Sequence, residues 1–184
     1  MMETVVGSVT LPGPVMTASG TAGYGDELAP FMDLAELGAV VTKSLAPYEW
    51  PGNPAPRVHP TAQGMMNAVG LQGPGVEYWL EHVLPDLLAI GATVVASIWG
   101  RAIEDYRRAA EMLAAAPDGV VAVEVNLSCP NLEGRGSIFA HDLELSAEVI
   151  AATEACGRPR WAKLSANTDR IIDVADAVHA AGAD

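Results

Sequence analysis

The sequence predicts an α/β fold built on a parallel sheet, and three observations carry that expectation. Short Val-rich runs alternate with longer amphipathic stretches, no linker or internal repeat interrupts the alternation, and polar residues recur where the apolar runs end. Strand, helix and strand in succession imply right-handed crossovers between parallel neighbours. The sheet is then either open and doubly wound or closed as a (β/α)8 barrel.

Five runs read as strands: residues 15–18, 39–43, 93–98, 120–126 and 161–164. Residues 27–37 read as a helix closed by Gly38. Leu80, Val83, Leu84, Leu87 and Leu88 share a helical face, and Pro85 divides that segment into two helices. Ile103, Tyr106, Ala110 and Leu113 form a further face, and Leu145, Val149, Ala152 and Cys156 another. A last helix spans 168–181 and stops at Gly182.

The residues closing the strands point towards a barrel. Gly20-Thr21-Ala22-Gly23-Tyr24-Gly25 lacks the GxGxxG spacing of a dinucleotide fingerprint. Ser19, Lys43, Ser44, Ser97, Asn126 and Lys163 instead fall at successive strand ends, where a barrel gathers its site from several strands. The run Glu124-Val125-Asn126-Leu127-Ser128-Cys129-Pro130-Asn131 sets two asparagines and a thiol where an apolar strand becomes a loop. Pro130 also biases Cys129 towards extended backbone, which helps aim the thiol out of the loop.

Composition narrows the function classes. Twenty-three acidic against ten basic residues give a net charge of −13, which repels polyanions and anionic membrane surfaces. The N-terminus has no basic region followed by an apolar one, and no apolar run is long enough to span a bilayer, so a cytoplasmic location is expected. Cys129 and Cys156 make no CxxC pair and have no His or Cys at ligand spacing, so no disulfide framework, metal or iron-sulfur site is expected.

Taken together, Ala18-Ser19-Gly20, Thr42-Lys43-Ser44, Asn67-Ala68-Val69-Gly70-Leu71-Gln72, Asn126 to Asn131 and Lys163 resemble the dihydroorotate dehydrogenases. These are FMN enzymes of pyrimidine synthesis built on a (β/α)8 TIM barrel. The resemblance covers essentially the whole chain. It implies that residues 1–184 are the N-terminal part of a single FMN-binding barrel domain, truncated to about its first five β/α units. Strands six to eight, and with them the FMN phosphate site, would then be absent.

The resemblance also implies roles. Ala18, Ser19, Gly20, Lys43, Ser44, Ser97, Asn126 and Lys163 would contact FMN. Lys43, Asn67, Gly70, Leu71, Asn126 and Asn131 would hold the pyrimidine substrate, and Cys129 would take the C5 proton while the C6 hydride passes to flavin N5. Residue chemistry agrees with these roles. Amides can both donate and accept at the edge of a planar pyrimidine, and lysines can stabilise charge on a reduced flavin. An ordinary thiol has a pKa of roughly 8.5, so activity should rise on the alkaline side.

A cysteine at 129 resembles the soluble class rather than the quinone-linked class, which carries serine there. Residues 70–77, Gly-Leu-Gln-Gly-Pro-Gly-Val-Glu, resemble the NAD-linked subgroup. That subgroup pairs a homodimeric FMN barrel with an iron-sulfur flavoprotein subunit holding FAD; a fumarate-linked subgroup is the alternative. Two positions depart from the family, Thr17 and Gly73, where asparagine is common.

Three rival readings accompany the main one. A tRNA dihydrouridine synthase shares the FMN barrel and a cysteine in related context, but the net charge of −13 is unsuited to RNA. A dihydropyrimidine dehydrogenase-like barrel would act on uracil rather than orotate. An inactive half-barrel would have a structural role alone, and the isolated fragment is expected to be inactive. Cys156 reads as a buried helix residue, the four histidines as surface or helix-face residues, and Glu144 with Glu148 as a solvated face.

Overall fold

Valine-rich segments with little polar content favour strands buried on both faces, and the computed structural model, which describes residues 2–128 and 139–184, places them so. Strands β3 (Val40–Val41), β6 (Val94–Ile98), β7 (Val120–Asn126) and β8 (Arg160–Lys163) form one parallel sheet in that order. Val41 pairs with Val95, Ser97 with Glu124, and Asn126 with Lys163; the register shifts between β6 and β7, where Val94 pairs with Val120 but Val95 with Ala122. The four strands follow one another across the sheet in chain order, with only the strand pair β4 (Val58–Thr61) and β5 (Gly64–Asn67) intervening between β3 and β6, the order of a singly wound sheet.

Alternation along each strand sorts side chains onto two faces. Val40, Val94, Ala96, Ile98, Val123 and Val125 point to one face. There they pack beneath helices α1 (Val76–His82), α2 (Leu84–Ala89), α3 (Ile103–Leu113), α4 (Leu143–Ala152) and α5 (Ile171–Ala180). Ala39, Val41, Val95 and Ala122 point to the other face. That face is covered at the N-terminal ends of the strands by Val9 and Leu11, from a hairpin of β1 (Thr4–Val6) and β2 (Val9–Leu11). The hairpin is pinned where Asp184 accepts the Ser8 N–H at 2.8 Å, while the Asp184 N–H donates to the Arg160 carbonyl at 2.8 Å.

Ile98 is fully buried at the end of β6 and packs in the helix-side core. An Ile98→Ala variant is expected to lose about 2–5 kcal/mol of stability, read as a lower urea midpoint at unchanged slope.

Several sequence expectations are met closely. Residues 93–98 and 120–126 match β6 and β7, and Pro85 separates α1 from α2. Ile103, Tyr106, Ala110 and Leu113 lie on α3, and Cys156 is wholly buried.

Others are corrected. The expected helix over 27–37 is a series of turns ending in a 3-10 turn, Leu34–Glu36. Pro30 has no N–H to donate, and Asp33 caps the Ala35 N–H at 2.9 Å, starting a new turn instead of continuing an old one. The expected strand over 15–18 contracts to one parallel bridge, Met16 to Ala39. The Thr17 hydroxyl takes the place of the ladder there: it accepts the Val41 N–H at 2.8 Å and lies 3.2 Å from the Val41 carbonyl. The expected strand over 39–43 is regular only at Val40–Val41. The helical face ending at Cys156 breaks after Ala152, and Glu154–Cys156 is a separate 3-10 turn. The last helix begins at Ile171, three residues after the expected start at 168. A second hairpin, β4 (Val58–Thr61) with β5 (Gly64–Asn67), is exposed throughout and stands within the long segment after β3.

Candidate functional site

The parity that puts Val41, Val95, Ala122 and Trp161 on the hairpin-covered face puts Lys43, Ser97, Glu124, Asn126 and Lys163 on that face nearer the C-terminal ends. The face is therefore apolar at one end and polar at the other, and the polar end is where parallel α/β folds assemble chemistry.

Three buried polar residues from different strand ends join there. Asn126 donates from Nδ2 to Ser44 Oγ at 2.9 Å, and Ser44 Oγ lies 2.8 Å from Ser97 Oγ. The Ser97 hydroxyl donates to Glu124 Oε1 at 2.7 Å. Asn126 Oδ1 accepts from the Ser128 hydroxyl at 2.9 Å and the Ser128 N–H at 3.2 Å, while Tyr106 from α3 holds the Asn126 carbonyl at 2.7 Å. Every member is satisfied, which makes the cluster a rigid platform rather than a destabilised patch.

Two cations flank the platform. Lys163 donates to Ser19 Oγ at 2.9 Å, joining the end of β8 to the turn that follows the Met16 bridge. A contact between residues 144 positions apart, at opposite ends of the sheet order, means that the sheet curls over its polar face. Lys43 is half-buried, donates to the Gln72 carbonyl at 2.6 Å, and lies over the Tyr24 ring at 5.0 Å. Burial, and then the nearby Arg57 guanidinium, hold its pKa below the ordinary lysine value. The Tyr24 hydroxyl donates to the same Gln72 carbonyl, and burial followed by Glu27 pushes its pKa upward.

The Ala18-Ser19-Gly20 turn closes with the Thr21 N–H on the Ala18 carbonyl at 3.1 Å. Gly20 has φ +87, and a Cβ there would meet nothing within 4 Å, so the turn leaves open space beside Ser19. On the other side, the Gly70-Leu71 backbone is clamped: Trp50 Nε1 donates to the Gly70 carbonyl at 2.9 Å, and the Asn53 N–H to the Val69 carbonyl at 3.0 Å. Leu71 has φ +62, the one positive φ outside glycine among the described residues, a strained conformation of the kind kept at functional backbone. At Gly70, φ is +72 and a Cβ would come within 2.7 Å of Asn53 Cγ. Gly70→Ala is accordingly expected to cost about 1–3 kcal/mol, measured as a lowered thermal midpoint.

Of the residues expected from sequence, Lys43, Ser44, Ser97, Asn126, Lys163 and Ser19 line or flank this strand-end group. Gly70 and Leu71 lie in the loop whose Gln72 holds Lys43. Asn67 closes the exposed β4–β5 hairpin, and among the described residues no hydrogen bond from its side chain to the lysines or the buried platform is found. Cys129 and Asn131 lie outside the described residues.

Three participants, Tyr24, Gln72 and Glu124, stand within motifs named from the sequence but carried no expected role there. Glu124 could have been found as the lone acid in an apolar strand, two residues before Asn126 and therefore on its face. The Gly73 departure also has a structural account. A Cβ at this position would meet the Tyr24 hydroxyl at 2.5 Å. Among the described residues, no three His, Cys, Asp or Glu side chains gather as metal ligands, and no helix is long and apolar enough to cross a membrane.

Comparison with known proteins gives a consistent picture. The family model described as dihydroorotate dehydrogenase matches residues 1–184. Similar proteins include dihydroorotate dehydrogenase B (NAD(+)), catalytic subunit, of Desulforudis audaxviator, 43% identical over 180 residues, covering 97% of this chain and 58% of that protein. The protein of that name from Trichlorobacter lovleyi is 41% identical over 184 residues, covering 100% of this chain and 60% of the relative. Its counterpart from Geotalea uraniireducens is 40% identical over 180 residues, with 97% and 59% covered. The chain thus spans about three fifths of the length of these relatives.

Proposed function

The chain belongs to the dihydroorotate dehydrogenase family, and from that premise we propose that it supplies the flavin- and substrate-binding strands of an enzyme oxidising dihydroorotate to orotate. The observation that carries this reading is the strand-end group itself: two lysines flanking a buried hydroxyl-amide platform on the concave side of a parallel sheet. In this reading the sheet, with the Met16 bridge, corresponds to the first five strands of a single (β/α)8 barrel domain, of which the chain forms the N-terminal part.

The residues present suit FMN. Open space beside Gly20 leaves room for a planar group against the Ala18-Ser19-Gly20 turn, and the lysines offer positive charge to a ring that gains negative charge on reduction. When bound, FMN would supply the hydride-accepting ring. Ser44, Ser97 and Asn126 would help to hold it, with Lys163 beside Ser19 and Lys43 near the substrate. Lys43 is drawn partly out of water yet has no carboxylate partner among the described contacts, so its charge remains available to an anionic substrate. The clamped Gly70-Leu71 backbone would present peptide groups to the pyrimidine carboxylate side, joined by Asn67 and Asn131. Cys129 would remove the C5 proton.

The similar proteins are named as NAD(+) catalytic subunits, which supports assignment to the NAD-linked type and pairing with an electron-transfer subunit. The test is anaerobic mixing of dihydroorotate with the FMN-loaded full-length protein while flavin absorbance is followed. Bleaching is expected. A protein that holds FMN but never bleaches with dihydroorotate, and bleaches instead with dihydrouracil, would refute the substrate assignment.

A further inference from the structure

Glu124 is the one member of the strand-end group with a charge that neither the family resemblance nor the proposed chemistry uses. It is half-buried on β7, faces the concave side, and has Ser97 directly beside it in register on β6. We propose that Glu124 is a positioning residue that sets the amide orientation of Asn126 through a one-way hydrogen-bond relay. The inference rests on the reading of Asn126 as a flavin and substrate contact.

Donor and acceptor inventory dictates the direction. A carboxylate can only accept, so the Ser97 proton is committed to Glu124 at 2.7 Å. Ser97 Oγ then has only lone pairs to offer Ser44 at 2.8 Å, and the Ser44 hydroxyl must donate to it. Ser44 Oγ, its own proton spent, can only accept, and the partner it meets at 2.9 Å must be the NH2 end of Asn126. At the far end, the Ser128 N–H points at the remaining atom of the amide at 3.2 Å, and that atom must be an acceptor. Assignments made from opposite ends of the chain therefore agree. An acid three hydrogen bonds away thus acts together with the Ser128 N–H to fix which end of Asn126 donates and which accepts, the property a pyrimidine or flavin edge would read.

The relay predicts a pattern that a merely space-filling Glu124 would not give. In the FMN-loaded full-length protein, Glu124→Leu removes the terminal acceptor and frees Ser97 to reverse. Orotate dissociation constants are expected to rise about tenfold, the loss of one buried hydrogen bond. Ser97→Ala cuts the same path and also removes a hydroxyl assigned to FMN, so it should weaken binding at least as much, and the double variant should be no worse than Ser97→Ala alone, because both changes cut one series path. Glu124→Gln keeps an acceptor and should restore most of the affinity.

An independent signature comes from 15N-asparagine labelling. The side-chain NH2 pair of Asn126, identified by its disappearance in Asn126→Ser, should shift in Glu124→Leu and Ser97→Ala and stay in place in Glu124→Gln. Losses that add in the double variant, or an amide pair unmoved by both single variants, would overturn the relay. Should the wild type bind neither FMN nor orotate, the dihydroorotate reading falls, and the amide pair recorded without flavin still decides the relay by the same criterion.

Discussion

A Cys129→Ala variant of the FMN-loaded full-length protein is expected to bleach with dihydroorotate about 100- to 10,000-fold more slowly than the parent, the span general-base catalysis contributes. The C5 proton of dihydroorotate is only weakly acidic, so without a positioned base its removal falls to water. The same variant should lose the rise in rate that the parent shows between neutral pH and about pH 8.5, where an ordinary thiol ionises. Stopped-flow bleaching at several pH values checks both. A parent rate that is flat with pH, or a variant that keeps its slope, would remove the thiol from the base role.

The second large effect is expected at Lys43. Lys43→Met should lower kcat/KM for dihydroorotate by about 100-fold, since a charge-assisted hydrogen bond to an anionic substrate is lost along with any stabilisation of charge on the flavin. Stability should move the other way. Burial, with Arg57 nearby, disfavours the charged form of Lys43, so its folded-state pKa lies below the ordinary value. A lysine depressed in this way binds fewer protons folded than unfolded in the window between the two values. Holding the charge therefore costs stability below the lowered pKa, and that cost is relieved as pH rises through the window. Methionine removes the cost at neutral pH, and the Gln72 carbonyl it gives up still accepts from the Tyr24 hydroxyl, so the thermal midpoint of Lys43→Met should equal or exceed that of the parent. A lower midpoint with intact kcat/KM would make Lys43 a structural residue tying Tyr24 to the Gln72 loop.

The two effects combine in one pH profile. Cys129 would add activity as it ionises, and Lys43 would remove affinity as it loses its charge at a pH below the usual lysine range. A bell-shaped dependence of kcat/KM is the expected result, with Lys43→Met keeping the alkaline rise and losing the fall.

Much of this was legible in the chain. Val120 to Asn126 is apolar enough to be buried on both faces, and its closing asparagine marks the strand end without reference to any other segment. Pro85 dictates the break between α1 and α2 because its ring lacks the N–H that a continuous helix needs there. The strand-end polar residues were readable for the same local reason, since a side-chain period of two carries an apolar lower layer to a polar upper one on a single face.

What the sequence could not decide was pairing across distance. Nothing local says that Thr17 will end a ladder by holding Val41, that Lys43 will find a carbonyl 29 residues later, or that Lys163 will reach Ser19 across 144 positions. Those contacts exist because the sheet curls and brings separate strand ends onto one concave surface. Glu124 is the clearest case. Its residue type and its face were determined by the sequence, whereas its place at the head of a hydrogen-bonded chain through Ser97 and Ser44 to Asn126 depends on the register of three strands, which only tertiary packing sets.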